Sequence, residues 1–269
     1  MPYALGPSGH RTHYRSVGSP GRPALVLIQG IGLDGRFWMQ VPERLADDPE
    51  RPWRVLVPDN RGVGRSDMPT RPWTMADMAD DLAVMLDAEG IGQAVIVGIS
   101  MGGMIAQQFA LRHPRRVRGL VLMATWPGLP LARLPAPDMI RALLTPTLTG
   151  KRSVDALGAL LLPPPLVAQA HTLLADWLEL MRVQAPSRSA FLGQLGALAS
   201  HSTGHRLGRI RVPTRVVTGD ADRLVPPVNS ERLAARIPDA QLEILPGVAH
   251  AIPLLDRDVV RRNVATMYG

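Results

Sequence analysis

Two rhythms of apolar residues alternate along the chain. Short β-prone runs occupy residues 24–28, 55–57, 94–97, 120–124, 215–218 and 242–245, and between most of them apolar positions recur at helical spacing, as in 75–89 and 229–237. Strands that are apolar throughout must be covered on both faces. The alternation therefore predicts an α/β chain, a mainly parallel central sheet with helices on either side. It lapses between 127 and 205, a stretch rich in leucine, alanine and proline that Pro163-Pro164-Pro165 divides and that is expected to carry a longer helix over about 166–183. The expected organisation is a core of residues 1–126 and 206–269 interrupted by a helical lid, residues 127–205, over the C-terminal edge of the sheet.

The run 90–111 contains no charged residue, and it is about as long as a membrane-spanning helix. Its composition argues otherwise. Gln93, Gln107 and Gln108 would lie unsatisfied in hydrocarbon, and Gly98, Gly102 and Gly103 would interrupt the helix. The run divides better into a buried strand, 94–97, and a helix, 101–111, that ends before His113-Pro114. Ser100 then stands at the turn between them, with a glycine two residues away on each side.

Composition adjusts this picture only slightly. A chain of 269 residues with 46% hydrophobic content suits one large folded domain or a core with an insertion. The absence of cysteine excludes disulfides, thiolate nucleophiles and thiolate metal sites, and leans toward the cytoplasm. The first residues lack the basic segment and apolar stretch of a secretion signal, so export is not expected. A net charge of +7 invites comparison with nucleic-acid binders, but the arginines are scattered through every segment and Lys151 is the only lysine. Without interleaved aromatic and basic residues, neither nucleic acid nor membrane is the expected partner, and a small-molecule substrate is.

Two glycine motifs compete for the chemistry. Gly30-Ile31-Gly32-Leu33-Asp34-Gly35 follows the first predicted strand, and Asp59 ends the next, as in a dinucleotide-binding site. Pro42, however, favours a late helix start, and Asp59 runs straight into the turn-rich segment 60–66. The second motif is Gly98-Ile99-Ser100-Met101-Gly102. A nucleophile on a sharp strand-to-helix turn needs small neighbours two residues away, and the following helix places its positive end near a developing oxyanion. A serine hydroxyl also needs a base and an acid to orient that base. Two carboxylates, Asp220 and Asp222, follow the strand 215–218, and His250 follows the strand 242–245. The order is serine, acid, histidine, with each just past a strand end.

With these motifs the chain resembles the α/β-hydrolases over nearly its whole length. The segments that carry the resemblance are Gln29-Gly30-Ile31-Gly32, Asp59-Asn60-Arg61-Gly62-Val63-Gly64-Arg65-Ser66, the serine turn, Gly219-Asp220-Ala221-Asp222 and Gly247-Val248-Ala249-His250. Within that superfamily the serine turn and the arginine loop are most similar to small bacterial esterases, enol-lactone hydrolases, carbon–carbon bond hydrolases and cofactor-free haloperoxidases. The resemblance implies Ser100 as nucleophile, His250 as general base and then acid, and Asp222, three residues after its glycine, in preference to Asp220. It implies an oxyanion hole from the backbone N–H groups of Ile31 and Met101, with Gln29 standing where the family usually has histidine. Asp59 is expected to tie down the arginine loop, and Trp126 is a candidate for the substrate wall.

A serine in place of aspartate at residue 100 points away from dehalogenase and epoxide-hydrolase chemistry and toward acyl transfer, with no metal or organic cofactor. The expected function is hydrolysis of a small-to-medium carboxylic ester or lactone. The alternatives are perhydrolysis or haloperoxidation, carbon–carbon bond cleavage, a ligand-sensing module on the same fold and, last, a nicotinamide enzyme.

Overall fold

The computed structural model describes residues 2–7, 9–149, 153–183 and 185–268. Its eight strands are β1 (Tyr3–Leu5), β2 (Arg11–Val17), β3 (Ala24–Ile28), β4 (Arg54–Pro58), β5 (Ala94–Ile99), β6 (Val117–Met123), β7 (Thr214–Gly219) and β8 (Gln241–Leu245). They form one sheet in the order β1-β2-β4-β3-β5-β6-β7-β8, antiparallel at β1–β2 and β2–β4 and parallel elsewhere. All six predicted strands are present. The two at the N-terminal edge were not expected from the sequence, because Arg11–Val17 mixes charged and polar residues with apolar ones and shows no clean alternation. His13 is buried there, with Asp59 accepting from its Nδ1 at 2.8 Å.

The helices are α1 (Val41–Ala46), α2 (Met75–Ala88), α3 (Met101–Arg112), α4 (Pro137–Thr149), α5 (Val154–Leu161), α6 (Ala170–Leu173), α7 (Ala175–Val183), α8 (Arg188–Ala199), α9 (Val228–Ala234), α10 (Ile252–Leu255) and α11 (Val259–Ala265). None is long and apolar enough to cross a membrane among the described residues. A reciprocal cap between Thr74 and Asp77 starts α2. The helix expected over about 166–183 is broken: a 3-10 turn over Pro164–Gln169 precedes α6 and α7, which part at the fully buried Leu174.

Alternate side chains of the central strands feed two apolar layers. Val26, Ile28 and Ile96 pack with α2 and α3 on one face, while Leu25, Leu27, Val95 and Val97 pack with Trp38, Trp53 and α11 on the other. Burial of the strand and of the helix that follows explains why 94–110 carries no charge, whereas 90–93 are exposed or half-buried. From β3 the chain moves outward to β4 and returns on the other side of β3 as β5. The loops after β3 and β5 therefore diverge, leaving a crevice at the carboxyl ends of the strands where α/β sheets bind ligands. Helices α4 to α8 lie between β6 and β7. At the neck of this stretch Gly128 bridges Ser202, and the Thr203 N–H donates to the Pro127 carbonyl at 2.9 Å.

Candidate active site

The register of the sheet brings the first two loops together. Ile28 pairs with Gly98, so Gln29 and Gly30 emerge beside Ile99 and Ser100. Ser100 has φ 56° and ψ −121°, a left-handed conformation that costs a residue with a side chain on the order of 1–3 kcal/mol. The surroundings hold it there. Its N–H donates to the Met123 carbonyl at 2.9 Å, and its own carbonyl accepts from Gly103 N–H at 3.0 Å and Thr125 Oγ1 at 2.7 Å. The glycines make this turn possible: a methyl group on Gly98 would strike the Gly102–Gly103 peptide, and one on Gly102 the Ile28 and Gln29 carbonyl region. A Cβ on Gly30 would lie 3.3 Å from that of Ser100.

His250 and Asp222 arrive from the ends of β8 and β7. The two loops are stitched together by Asp220 N–H to Leu245 O at 3.1 Å and Ala221 N–H to Val248 O at 3.0 Å. Asp222, buried, accepts from Leu224 N–H at 2.9 Å and Val225 N–H at 2.8 Å through Oδ1, and its Oδ2 lies 2.8 Å from His250 Nδ1. A carboxylate only accepts, so Nδ1 carries the hydrogen, and in the neutral imidazole Nε2 is the nitrogen with the lone pair. Asp220 instead accepts from Gly247 N–H at 2.7 Å and shapes the turn before His250. Asp59 accepts from Gly35 N–H and Arg65 N–H, both at 2.9 Å, and so fixes the arginine loop.

Ser100 and His250 face the same cavity, about 750 Å³ in volume, which lies within the size range of small-molecule sites. Leu33, Phe37, Met104, Trp126, Leu157 and Trp177 make much of its wall, and its charged lining residues among those described are Arg182 and Arg188. Trp126 is buried, and its Nε1 donates to Met104 Sδ at 3.2 Å, which fixes the ring against α3. The other histidines lie elsewhere. His113 pairs with Asp80, His13 with Asp59, and His201 is sealed at the neck, where burial and then the nearby Arg206 charge lower its pKa to about 3. Among the described residues no cluster of histidine and carboxylate side chains is arranged to hold a metal ion.

Met101 is the first residue of α3, so its backbone N–H has no acceptor within the helix. After β3, Gly30 N–H donates to Gln29 Oε1 at 3.0 Å and Gly32 N–H to Gln194 Oε1 at 2.7 Å, while among the described residues no protein acceptor takes Ile31 N–H. Gln29 therefore holds the loop through its own side-chain oxygen, and Asn60 Nδ2 donates to the Gln29 carbonyl at 3.0 Å. Gln194 escaped sequence reasoning because its partners lie 162 and 133 residues away. The one local signal was a single amide among the small and apolar residues of 190–197.

Residues 23–148 match the family model described as alpha/beta hydrolase fold. Over 269 residues the chain is 31% identical to the protein named "Putative carbamate hydrolase RutD" of Azorhizobium caulinodans, covering 100% of this chain and 98% of that protein. It is 33% identical over 245 residues to the poly(3-hydroxyalkanoate) depolymerase of Ectopseudomonas oleovorans, with 86% of this chain and 80% of that one covered. Among solved structures, a malate-bound thermophilic esterase from Thermogutta terrifontis is similar at a TM-score of 0.80 and 26% identity, over 99% of this chain and 98% of that chain.

Proposed function

The chain belongs to the alpha/beta hydrolase family, and from that premise we propose that it cleaves carboxylic esters or lactones with an apolar acyl group, through an acyl-enzyme on Ser100. The observation that carries this reading is the strained Ser100 on the wall of an apolar cavity shared with His250, whose Nδ1 is held by Asp222. In this mechanism His250 Nε2 takes the Ser100 Oγ proton as Oγ attacks the substrate carbonyl carbon. The oxygen that becomes negative is met by the N–H groups of Ile31 and Met101 at the positive end of α3. The carbon–oxygen bond breaks, and the proton on His250 passes to the departing alkoxide. Water then gives a proton to His250, attacks the acyl carbon and releases the acid, and the proton returns to Ser100.

Residues 127–205 act in this reading as the lid, since α5, α7 and α8 supply Leu157, Trp177 and Phe191 to the cavity wall. Relatives named as an esterase and as a depolymerase of a polyester fit the same chemistry. The full-length likeness to a protein named for carbamate hydrolysis favours a second reading, attack of the same serine on a carbamate carbonyl. The cavity weighs toward the first, because a small carbamate would leave most of an apolar volume of about 750 Å³ unfilled.

The test is hydrolysis of 4-nitrophenyl esters of graded acyl length beside a 4-nitrophenyl carbamate. The ester reading expects kcat/KM to rise with acyl length and Ser100→Ala to lose roughly 10⁶-fold in kcat. Retained activity in Ser100→Ala overturns the serine mechanism, and faster turnover of the carbamate than of every ester favours the second reading.

A further inference from the structure

Three consecutive backbone N–H groups follow β3, and two of them are taken by glutamine side chains. Gly30 N–H goes to Gln29 Oε1 and Gly32 N–H to Gln194 Oε1, while Ile31 N–H between them has no protein acceptor among the described residues, and Ile31 lines the cavity. Gln29 belongs to the loop itself. Gln194 comes from α8, in the stretch between β6 and β7, and is fully buried. Its other end is also used, because Nε2 donates to the Arg61 carbonyl at 2.9 Å. One amide thus spans the loop after β3 and the loop after β4. A primary amide offers an acceptor and a donor side by side at this reach.

The packing of α8 is built for this approach. A methyl group on Gly193 would enter the Trp73 ring, one on Gly62 would lie 3.0 Å from Ala190 Cβ, and one on Gly32 would lie 3.3 Å from Phe191. Gly62 and Gly32 also have φ of +81° and +73°, which disfavours any larger residue there. Glycines on three separate segments therefore let the helix come close enough for residue 194 to reach both loops.

We propose that Gln194 is the positioning residue of the oxyanion hole. By fixing Gly32 N–H on one side of the Ile31 peptide, opposite the Gln29 clamp on the other, it sets the direction of Ile31 N–H relative to Met101 N–H. This inference rests on the serine acyl-transfer reading. An N–H aimed at developing charge acts on the transition state and little on ground-state binding, so its loss falls on kcat and not on KM.

The test compares wild type with Gln194→Met, which matches the length and has neither hydrogen-bonding group. Three quantities are measured: kcat, KM for 4-nitrophenyl butanoate, and affinity for an alkyl trifluoromethyl ketone, which adds to Ser100 as a tetrahedral oxyanion. Removing an oxyanion donor outright costs roughly 10²–10³-fold and misaiming it costs less, so Gln194→Met is expected to lose about 10- to 100-fold in kcat. KM stays within about threefold, and ketone affinity falls with kcat/KM. Unchanged kcat and ketone affinity in Gln194→Met, or a loss confined to KM, overturns the inference. If Gln194→Met does not fold, Gln194→Asn replaces it; this amide is one methylene too short to span both loops, and the same loss is expected. The two levels fail separately. Wild-type hydrolysis that persists in Ser100→Ala sinks the serine reading, whereas Ser100-dependent hydrolysis with an unaffected Gln194→Met sinks only the role of Gln194.

Discussion

Replacing Gly98 with alanine adds one methyl group two residues before the strained serine. The new Cβ would overlap the Gly102 carbonyl and sit 2.7 Å from Gly103 N, at least 0.7 Å short of the 3.4 Å at which ordinary contact begins. Both obstacles are backbone, so no side chain can swing away, and either β5 or the first turn of α3 must move. Overpacking of this kind typically costs about 1–3 kcal/mol of stability. The kinetic effect is larger, because Ser100 and the Met101 N–H ride on the displaced turn, and a misplacement of about 1 Å costs on the order of 10²-fold. The assay is kcat on a 4-nitrophenyl ester, normalised to folded protein by thermal unfolding. Gly196→Ala is the control, since a methyl there meets nothing within 4 Å in the middle of α8. Removing a helix glycine should leave activity unchanged and gain about 0.5–1 kcal/mol. A Gly98→Ala protein with wild-type kcat and wild-type stability would refute the account of the turn.

Two further predictions concern the carboxylates and the buried histidine. In Asp222→Asn the two N–H groups of Leu224 and Val225 keep the amide oxygen where Oδ1 was, so the NH₂ turns toward His250 Nδ1 and forces the wrong tautomer. The expected loss in kcat is about 10⁴-fold, whereas Asp220→Asn keeps an oxygen for Gly247 N–H and should change kcat little; equal losses in the two would contradict the assignment. His201, with its pKa lowered by burial from 6.5 to about 3, stays neutral in the fold while the unfolded chain takes up the proton. Its contribution is therefore complete above about pH 6.5 and is lost progressively as pH falls toward 3, at up to about 1.4 kcal/mol per pH unit. Chemical denaturation of wild type and His201→Gln between pH 7 and 5 should show the shallower slope in the variant, and parallel slopes would count against the effect.

What the sequence displays depends on the range of the interaction. Each of Ser100, Asp222 and His250 carries a local mark, a glycine-flanked or turn-rich step directly after an apolar strand, so their order could be read along the chain. The late helix start after Gly35 was legible through Pro42, and the structure has a 3-10 turn over Gly35–Trp38 with α1 beginning at Val41. The edge strands β1 and β2 left no such mark, since their polar residues are satisfied by partners such as Asp59 and Asp67 that lie about fifty residues away. Nor did the break at Leu174, which falls at no glycine or proline. The bonds from α8 to the loop after β3, and from the Ala251 N–H to the Leu161 carbonyl at 3.0 Å, arise only once the chain between β6 and β7 folds over the sheet.

The most direct measurement is covalent labelling with a fluorophosphonate bearing an alkyl chain, followed by peptide mass spectrometry. One phosphonyl adduct is expected, on Ser100, with loss of esterase activity in proportion to labelling and no adduct in Ser100→Ala. An unlabelled Ser100 in active protein, or activity that survives full labelling, would contradict the serine mechanism.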